Sequence, residues 1–321
     1  MRKKLSTGCL VLFLSAIIAL LCNAQSQELI DCFEEQSLHY TNGKYQDTEI
    51  KYRLRVPTTI RRGQKYPLVI HLHGLYESGS DNVRSLFFLD SILPLLAGPN
   101  QRDFFMLVPQ SPSETPHWHF QRSTKDGTLD VLIALLEHVV ATNPIDTSRI
   151  TVTGICGHGG RGVWELIMQY PDMFAGAVLT ESNAPTPSPR LAALTQTPIW
   201  SIIYKGDEHF FESNHAAISV INHAGGSMAL TKTDEPGDKV HVWILAMEDY
   251  KSIQWLLAQK QGSWFAPPPG VAAHSNNPRS LLLASVMYVV PFAIVVFLLW
   301  GKLCTWTLMA YQHVRPWSSR L

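Results

Sequence analysis

Short apolar runs alternate with amphipathic stretches through the middle of the chain. Runs with the length and β-branched content of buried strands lie at 68–72, 104–108, 149–153, 175–179, 197–204 and 228–233. Apolar residues at helical spacing occur between or after them, at 128–140, 163–170, 209–224 and 247–259. A weaker strand is predicted at 49–56, with 40–45 as its hairpin partner. This alternation indicates an α/β fold with a mainly parallel sheet and helices on both faces.

The amino-terminal apolar segment has the pattern of a secretory signal peptide. Three basic residues at 2–4 precede an apolar run at 10–21, and Ala24 offers a small residue for cleavage. We therefore expect residues 1–24 to be removed and the domain that follows them to lie outside the cytoplasm.

A second apolar segment, near the carboxyl end, has the length of a membrane span. Residues 281–300 contain no charged side chain, which is rare in a buried core helix. More basic residues follow this segment than precede it, so the positive-inside rule places the carboxyl end in the cytoplasm. The predicted protein is a single-pass membrane protein with an extracytoplasmic domain. Its parts are a signal peptide, an α/β domain, a proline-rich linker, one transmembrane helix and a cytoplasmic tail, at 1–24, 25–261, 262–280, 281–300 and 301–321.

The balance of charges argues against nucleic acid as a partner. Lys plus Arg and Asp plus Glu both number 26, so the net charge is zero and no basic face points to nucleic acid.

Loss of the signal peptide leaves Cys32, Cys156 and Cys304. A bridge between Cys32 and Cys156 is compatible with an oxidising compartment, but a cysteine in a glycine-rich turn is a poor staple. We therefore expect Cys156 to stay unbridged.

The segment 149–174, RITVTGICGHGGRGVWELIMQYPDMF, predicts a strand, a tight turn and a helix. A side chain at the tip of such a turn projects into a cleft above the helix amino terminus, as in the nucleophile elbow G-x-S-x-G. The serine is absent here, and the turn holds one residue more than the motif allows. Counting from Gly154 places Cys156 at the tip, whereas counting back from Gly159 places Gly157 there. Both registers remain open.

Polar groups follow other predicted strands, where α/β sheets form their clefts. His73 and Gly74 end a buried strand, and this pair lets backbone N–H groups converge as an oxyanion hole requires. Asp207 follows a later strand, and His241 precedes the last helix. Together with a nucleophile in the glycine-rich turn, these residues have the chain order nucleophile, acid, histidine.

Two other positions have alternative interpretations. Trp118 belongs to an aromatic patch that either packs in the core or lines a substrate pocket. The flanking histidines lack an acidic or cysteine partner at ligand spacing, so no metal site is predicted. His158 occupies the extra-residue position of the turn. We expect it to face solvent, and the alternative is a substitute catalytic base.

Six segments carry motifs that are specific in combination. They are YPLVIHLHGLYESGSDN at 66–82, FMLVPQSP at 105–112, NPIDTSRITVTG at 143–154, GGRGVWELIMQYPDMFAGAV at 159–178, PIWSIIYKGD at 198–207 and HVW at 241–243. Through them the chain resembles secreted α/β-hydrolases of the polyhydroxybutyrate-depolymerase and feruloyl-esterase type, close to prolyl-oligopeptidase-like peptidase domains. The resemblance covers about 49–259. It implies the α/β-hydrolase fold and hydrolysis of carboxylic esters, less often peptides, without metal or cofactor.

The resemblance also implies roles for single residues. Asp207 stands at the position of the acid and His241 at that of the base. Backbone N–H groups of Leu75 and of the residue after the nucleophile, Gly157 if Cys156 is the nucleophile, would form the oxyanion hole. The predicted pocket residues are His73, Gly74 and Trp118.

Two functions from different classes follow. In the first, His241, oriented by Asp207, takes the proton of the Cys156 thiol, and the thiolate attacks an ester carbonyl to give a thioacyl intermediate that water cleaves. Dienelactone hydrolase resembles this solution, with a cysteine at the same elbow position. In the second, Cys156 is a small buried hydrophobe, Gly157 occupies the tip, and the domain is an inactive binding or structural module at the membrane surface.

Overall fold

The structure is a computed structural model. The strands in the part of the chain that it describes form one sheet. The described residues are 27–41, 48–87, 89–97, 101–112, 118, 129–204, 206–233, 251–263 and 265. The strands are β1 Glu34–Tyr40, β2 Thr48–Arg55, β3 Tyr66–Leu72, β4 Phe105–Gln110, β5 Ile145–Ile155, β6 Gly176–Thr180, β7 Ile199–Tyr204 and β8 Met228–Thr233. Their order is β1-β2-β4-β3-β5-β6-β7-β8. β2 pairs antiparallel with β1 and β4, and every later pairing is parallel, so the predicted mainly parallel sheet is confirmed.

Helices cover both faces of this sheet. They are α1 Leu93–Ala97, α2 Leu129–Thr142, α3 Arg161–Gln169, α4 Glu208–His223 and α5 Lys251–Ala258. Alternate residues of β3 belong to different cores: Leu68 and Ile70 pack in a cluster with α2, α3 and α4, and Val69 packs in a cluster with α1 and α5. Burial on both faces explains why β3 reads as a continuous apolar run.

The edge of the sheet departs from the prediction. The partner of β2 is Glu34–Tyr40 rather than 40–45, with Tyr40 opposite Thr48. β1 has no fully buried residue, so its apolar signal is weak and the sequence pattern placed the strand several residues too late.

Several predicted features lie outside the described residues. They are the signal peptide 1–24, His241, most of the linker 262–280, the transmembrane helix 281–300 and the tail 301–321. Within the described ranges, every helix is too short or too polar to cross a bilayer.

Candidate active site

The sheet topology brings the predicted functional loops to one edge. β3, β5, β6 and β7 are parallel neighbours, and their carboxyl ends lead into Gly74, Cys156, Glu181 and Asp207 respectively. Functional groups of open α/β sheets gather at this edge because parallel strands end there together. Sequence reasoning included three of these four residues and missed Glu181.

Cys156 has the backbone conformation expected at the tip of a strained turn. Its φ is 58°, the left-handed region that a residue with a Cβ rarely occupies, and it directly follows the extended Ile155. Gly157 is not among the described residues with positive φ, and a Cβ added to it would meet no heavy atom within 4 Å. Cys156 is half-buried and is not bridged to Cys32. The left-handed position in this turn is therefore Cys156.

The residue in excess of the elbow motif is taken up by a wide turn. Cys156–Gly160 forms a π-helical turn between β5 and α3, and such turns accommodate an extra residue within a helix. Two glycines still meet at close range: a Cβ added to Gly154 would lie 2.5 Å from the carbonyl oxygen of Gly159. Gly159 also leaves no room for a side chain, since an added Cβ would lie 2.6 Å from the carbonyl oxygen of His73.

His158 does not face solvent, so that prediction is wrong. Only 7% of the residue is exposed, and its ring stacks on His73 with the ring centres 6.2 Å apart. The Trp118 ring lies 6.5 Å from the His158 ring. The widened turn carries the His158 side chain against these buried rings because it holds one residue more than a tight elbow.

His73 and Trp118 are both fully buried. The backbone N–H of Ser111 donates to His73 Nε2 at 3.0 Å, so the ring proton is on Nδ1, which donates to the Gly74 carbonyl at 2.6 Å. The Trp118 indole N–H donates to the His73 carbonyl at 3.3 Å. His73 therefore ties Gly74 to the residue that follows β4, and the Trp118 indole holds the His73 backbone. The assignment of both residues to a substrate pocket stays a prediction.

Gly74 and the turn Leu75–Glu77 form the predicted oxyanion loop beside Cys156. A Cβ added to Gly74 would lie 3.8 Å from Cys156 Cβ and 2.7 Å from Glu77 Oε2. Gln110 Nε2 donates to the Glu77 carbonyl at 3.0 Å, which ties the turn to β4. This hydrogen bond holds the turn that carries the Leu75 N–H against β4.

Glu77 is a second acidic residue that sequence reasoning missed. Its side chain is turned inward and is 8% exposed, whereas Leu75 and Tyr76 of the same turn are exposed. Burial raises the pKa of its carboxyl, and hydrogen bonds from the backbone N–H groups of Glu77 and Gly74 oppose this change. A carboxyl three residues after the histidine–glycine pair was the only signal in the sequence, and nothing in the pattern indicated that it turns inward.

Asp207 is fixed at the amino terminus of α4. It is 8% exposed, and its Oδ1 accepts a hydrogen bond from the backbone N–H of Phe210 at 3.2 Å, so it is the N-cap of the helix. His241, the predicted base, lies outside the described residues. The carboxyl ends of β3, β5 and β7 therefore carry the loop of Leu75, Cys156 and Asp207 at the same end of the sheet.

The buried His73 is expected to make folding stability depend on pH. Burial lowers its pKa from 6.5 to about 4, so the unfolded chain binds a proton first as the pH falls. The contribution of His73 to stability should be nearly constant above about pH 6.5 and fall towards pH 4, with a loss of roughly 2 kcal/mol between pH 6.5 and 5. Urea unfolding at both pH values, for the wild type and for His73→Gln, measures this. His71 is buried as well and titrates in both proteins, chiefly because of its own burial, so the difference between the two proteins reports on His73. Equal pH dependence of the two would contradict the assignment.

The chain is similar in structure to solved hydrolases, whereas no protein-family model and no curated protein matches it. A thermostable esterase is 25% identical with a TM-score of 0.61, over 73% of this chain and 64% of the esterase chain. A ferulic acid esterase is 14% identical with a TM-score of 0.53, over 68% of this chain and 95% of that chain. The acylaminoacyl peptidase of Pyrococcus horikoshii is 16% identical with a TM-score of 0.52, over 73% of this chain and 43% of that chain. The chain thus spans less than two thirds of the first and third of these proteins, and the second and third show likeness of fold alone.

Proposed function

We propose that this chain, a member of the α/β-hydrolase superfamily, hydrolyses carboxylic esters. In this proposal Cys156 takes the place of the nucleophilic serine. The observation that carries the proposal is the left-handed φ of 58° at Cys156, directly after β5. The sequence could otherwise have placed that conformation at Gly157, where it costs nothing. A residue with a Cβ in a strained conformation at a cleft is a reason to look for a function of its side chain.

The proposed first step is acylation of the thiol. His241 takes the proton of Cys156 Sγ, and the amino terminus of α3 favours the thiolate. Sulfur attacks the ester carbonyl, and the backbone N–H groups of Leu75 and Gly157 stabilise the oxyanion. The tetrahedral intermediate collapses, the carbon–oxygen bond to the alcohol breaks, and the alkoxide takes the proton from His241. The product is a thioester on Cys156.

The proposed second step is hydrolysis of this thioester. His241 takes a proton from water, the hydroxide oxygen attacks the carbonyl, and the carbon–sulfur bond breaks. The thiolate takes the proton back, which releases the acid and restores the thiol. Asp207 orients His241 and stabilises its protonated form. The fixed position of Asp207 at the end of β7 supports this role, and the position of His241 is supported by chain order and by the family resemblance.

We propose carboxylic esters as the substrate class, with peptides second. The thermostable esterase, which is 25% identical to this chain, is named an esterase, and the names of the other two include an esterase and a peptidase. Esters are also the easier substrates, because an alkoxide or phenolate leaves without prior protonation more readily than the nitrogen of an amide does. No cofactor or metal takes part in the proposed steps.

We also propose that the domain is secreted and held at a membrane by residues 281–300, with the tail in the cytoplasm. The support is the uncharged run of that length and the excess of basic residues after it. The full chain should stay with membranes that are washed in alkaline carbonate. Release of the chain by the wash would refute the proposal that residues 281–300 span the membrane.

The experiment is hydrolysis of nitrophenyl acetate by the full chain in those washed membranes and after purification in mild detergent. We expect turnover, its loss after iodoacetamide treatment, and one acetyl group on Cys156 by peptide mass spectrometry after rapid quenching. His241→Ala should slow acylation by about a hundredfold or more, since the general base is lost. A folded chain with neither turnover nor acylation would instead favour the inactive binding module.

A further inference from the structure

Glu181 is a buried acidic residue with an unusual backbone conformation. Its φ is 52° and only 1% of the residue is exposed. It directly follows β6, which lies between β5 with its Cys156 turn and β7 with its Asp207 turn. A left-handed conformation and a buried carboxyl each cost free energy, so the surrounding structure must hold this residue against both costs.

The Glu181 side chain continues the hydrogen-bonding ladder beyond the end of β6. Backbone pairing with β7 ends at Thr180 opposite Ile202, and the N–H of Glu181 makes one last bond, to the Ile202 carbonyl at 3.0 Å. The next N–H on that edge of β7 belongs to Tyr204, two residues further on. Since β6 has ended, the Glu181 carboxyl Oε1 accepts this hydrogen bond instead of a backbone carbonyl.

The same turn fixes the proposed catalytic acid. The backbone N–H of Asp207 donates to the Tyr204 carbonyl at 3.0 Å. Two hydrogen bonds in series therefore connect the Glu181 carboxyl to the backbone of Asp207. The Asp207 side chain is held from the other side by the N–H of Phe210.

Because its backbone is left-handed, Glu181 can make two hydrogen bonds to β7. Its N–H donates to the Ile202 carbonyl, and its carboxyl accepts from the Tyr204 N–H. The next residue, Ser182, packs against the Cys156–Gly160 turn. Ser182 is then so close to Gly160 that a Cβ added to the glycine would lie 2.5 Å from Ser182 Oγ. Glu181 therefore lies between Ser182, which packs against the Cys156–Gly160 turn, and Tyr204, whose N–H donates to the Glu181 carboxyl.

We propose that Glu181 is a positioning residue whose carboxyl holds the Tyr204–Asp207 turn, so that Asp207 is kept where it orients His241. The role of Asp207 rests on the proposed function, whereas the support of the turn does not. The two parts of the proposal therefore need separate measurements.

Three variants separate the features of Glu181. Glu181→Gly removes the carboxyl and adopts the left-handed φ without strain. Glu181→Gln keeps an oxygen acceptor at the same reach, and Glu181→Asp keeps a carboxyl that is one methylene too short. Thermal unfolding of the full chain reports whether each variant is folded, and Glu181→Asp takes the place of Glu181→Gly if the glycine variant does not fold.

The first measurement is amide hydrogen exchange of the full chain, resolved to single residues. Glu181→Gly and Glu181→Asp should speed exchange of the Tyr204 and Asp207 amides about tenfold or more, because a buried hydrogen bond is lost. Glu181→Gln should keep both within about threefold of wild type. The amides of β8 away from this turn serve as the control. Unchanged exchange at Tyr204 and Asp207 in the glycine and aspartate variants would overturn the proposal.

The second measurement is ester hydrolysis in two backgrounds. Glu181→Gly should lower kcat about tenfold with little change in KM, and Glu181→Gln should restore most of it. In an Asp207→Asn background the same substitution should have almost no further effect, because its target is already lost. Equal losses in both backgrounds would indicate general structural damage and overturn the positioning role. A wild type that neither hydrolyses esters nor acylates Cys156 would refute the proposed function, and amide exchange would still decide whether Glu181 holds the turn.

Discussion

Cys156→Ala is expected to lower kcat/KM for nitrophenyl acetate by about a thousandfold or more. Removal of the nucleophile from a catalytic triad leaves only the rate enhancement from binding and the oxyanion hole. Cys156→Ser should also be nearly inactive, because a hydroxyl is a far weaker acid than a thiol and the site is proposed to act on a thiolate. The measurement is steady-state hydrolysis by the purified full chain, with thermal unfolding to verify that each variant is folded.

Cys32 provides the matched control. It is the other described cysteine, and burial raises the pKa of its thiol, so it should react slowly with iodoacetamide. Cys32→Ala should keep wild-type turnover and wild-type sensitivity to iodoacetamide. Undiminished hydrolysis by Cys156→Ala would show that another group is the nucleophile and would end the thiol mechanism.

Gly159→Ala is expected to lower the free energy of unfolding by about 3 kcal/mol or more, as insertion into a tightly packed site does. A methyl group there would overlap the Leu72 carbonyl and lie 2.6 Å from the His73 carbonyl. Both carbonyls belong to the backbone of β3 and the loop that follows it. They cannot move aside without disturbing the pairing of β3 with β4 and β5. Because these atoms lead into Gly74, the oxyanion loop should be displaced as well.

Gly157→Ala is the control for this substitution, two residues away in the same turn. A Cβ at Gly157 would meet no heavy atom within 4 Å, so the change in unfolding free energy should stay within about 0.5 kcal/mol. Urea unfolding of the full chain measures both variants. Similar stabilities for the two would contradict the close approach of the π-helical turn to β3.

The fold was predictable because its signal is local. β3 and β4 are buried on both faces and read as continuous apolar runs, and the amphipathic helices between strands leave few topologies for a parallel sheet. The edge strand β1 was misplaced for the opposite reason, since a strand with little burial carries little pattern. The position of Asp207 just after β7 was predictable because that strand was clear in the sequence, whereas its role as the acid stays a proposal.

Parts of the candidate site could not be predicted because they depend on contacts between distant segments. His158 is buried because the rings of His73 and Trp118 lie beside its turn. The burial of His73 and Trp118 depends on such contacts as well, because the ring of His73 bonds to the residue after β4 and the Trp118 indole donates to the His73 carbonyl. Glu77 and Glu181 turn inward through local backbone geometry for which the pattern of apolar residues holds no signal.

The sequence by itself determined the order of strands and helices, the glycine-rich turn after β5 and the chain order of the candidate catalytic residues, because each of these depends on neighbours along the chain. Only the tertiary structure decided which residue takes the left-handed position, since Cys156 and Gly157 fit the motif equally well by spacing. That choice follows from packing: Gly159 must approach β3 closely and Gly157 need not, so the extra residue enters the turn after Cys156. The cysteine is left in the left-handed position of the turn.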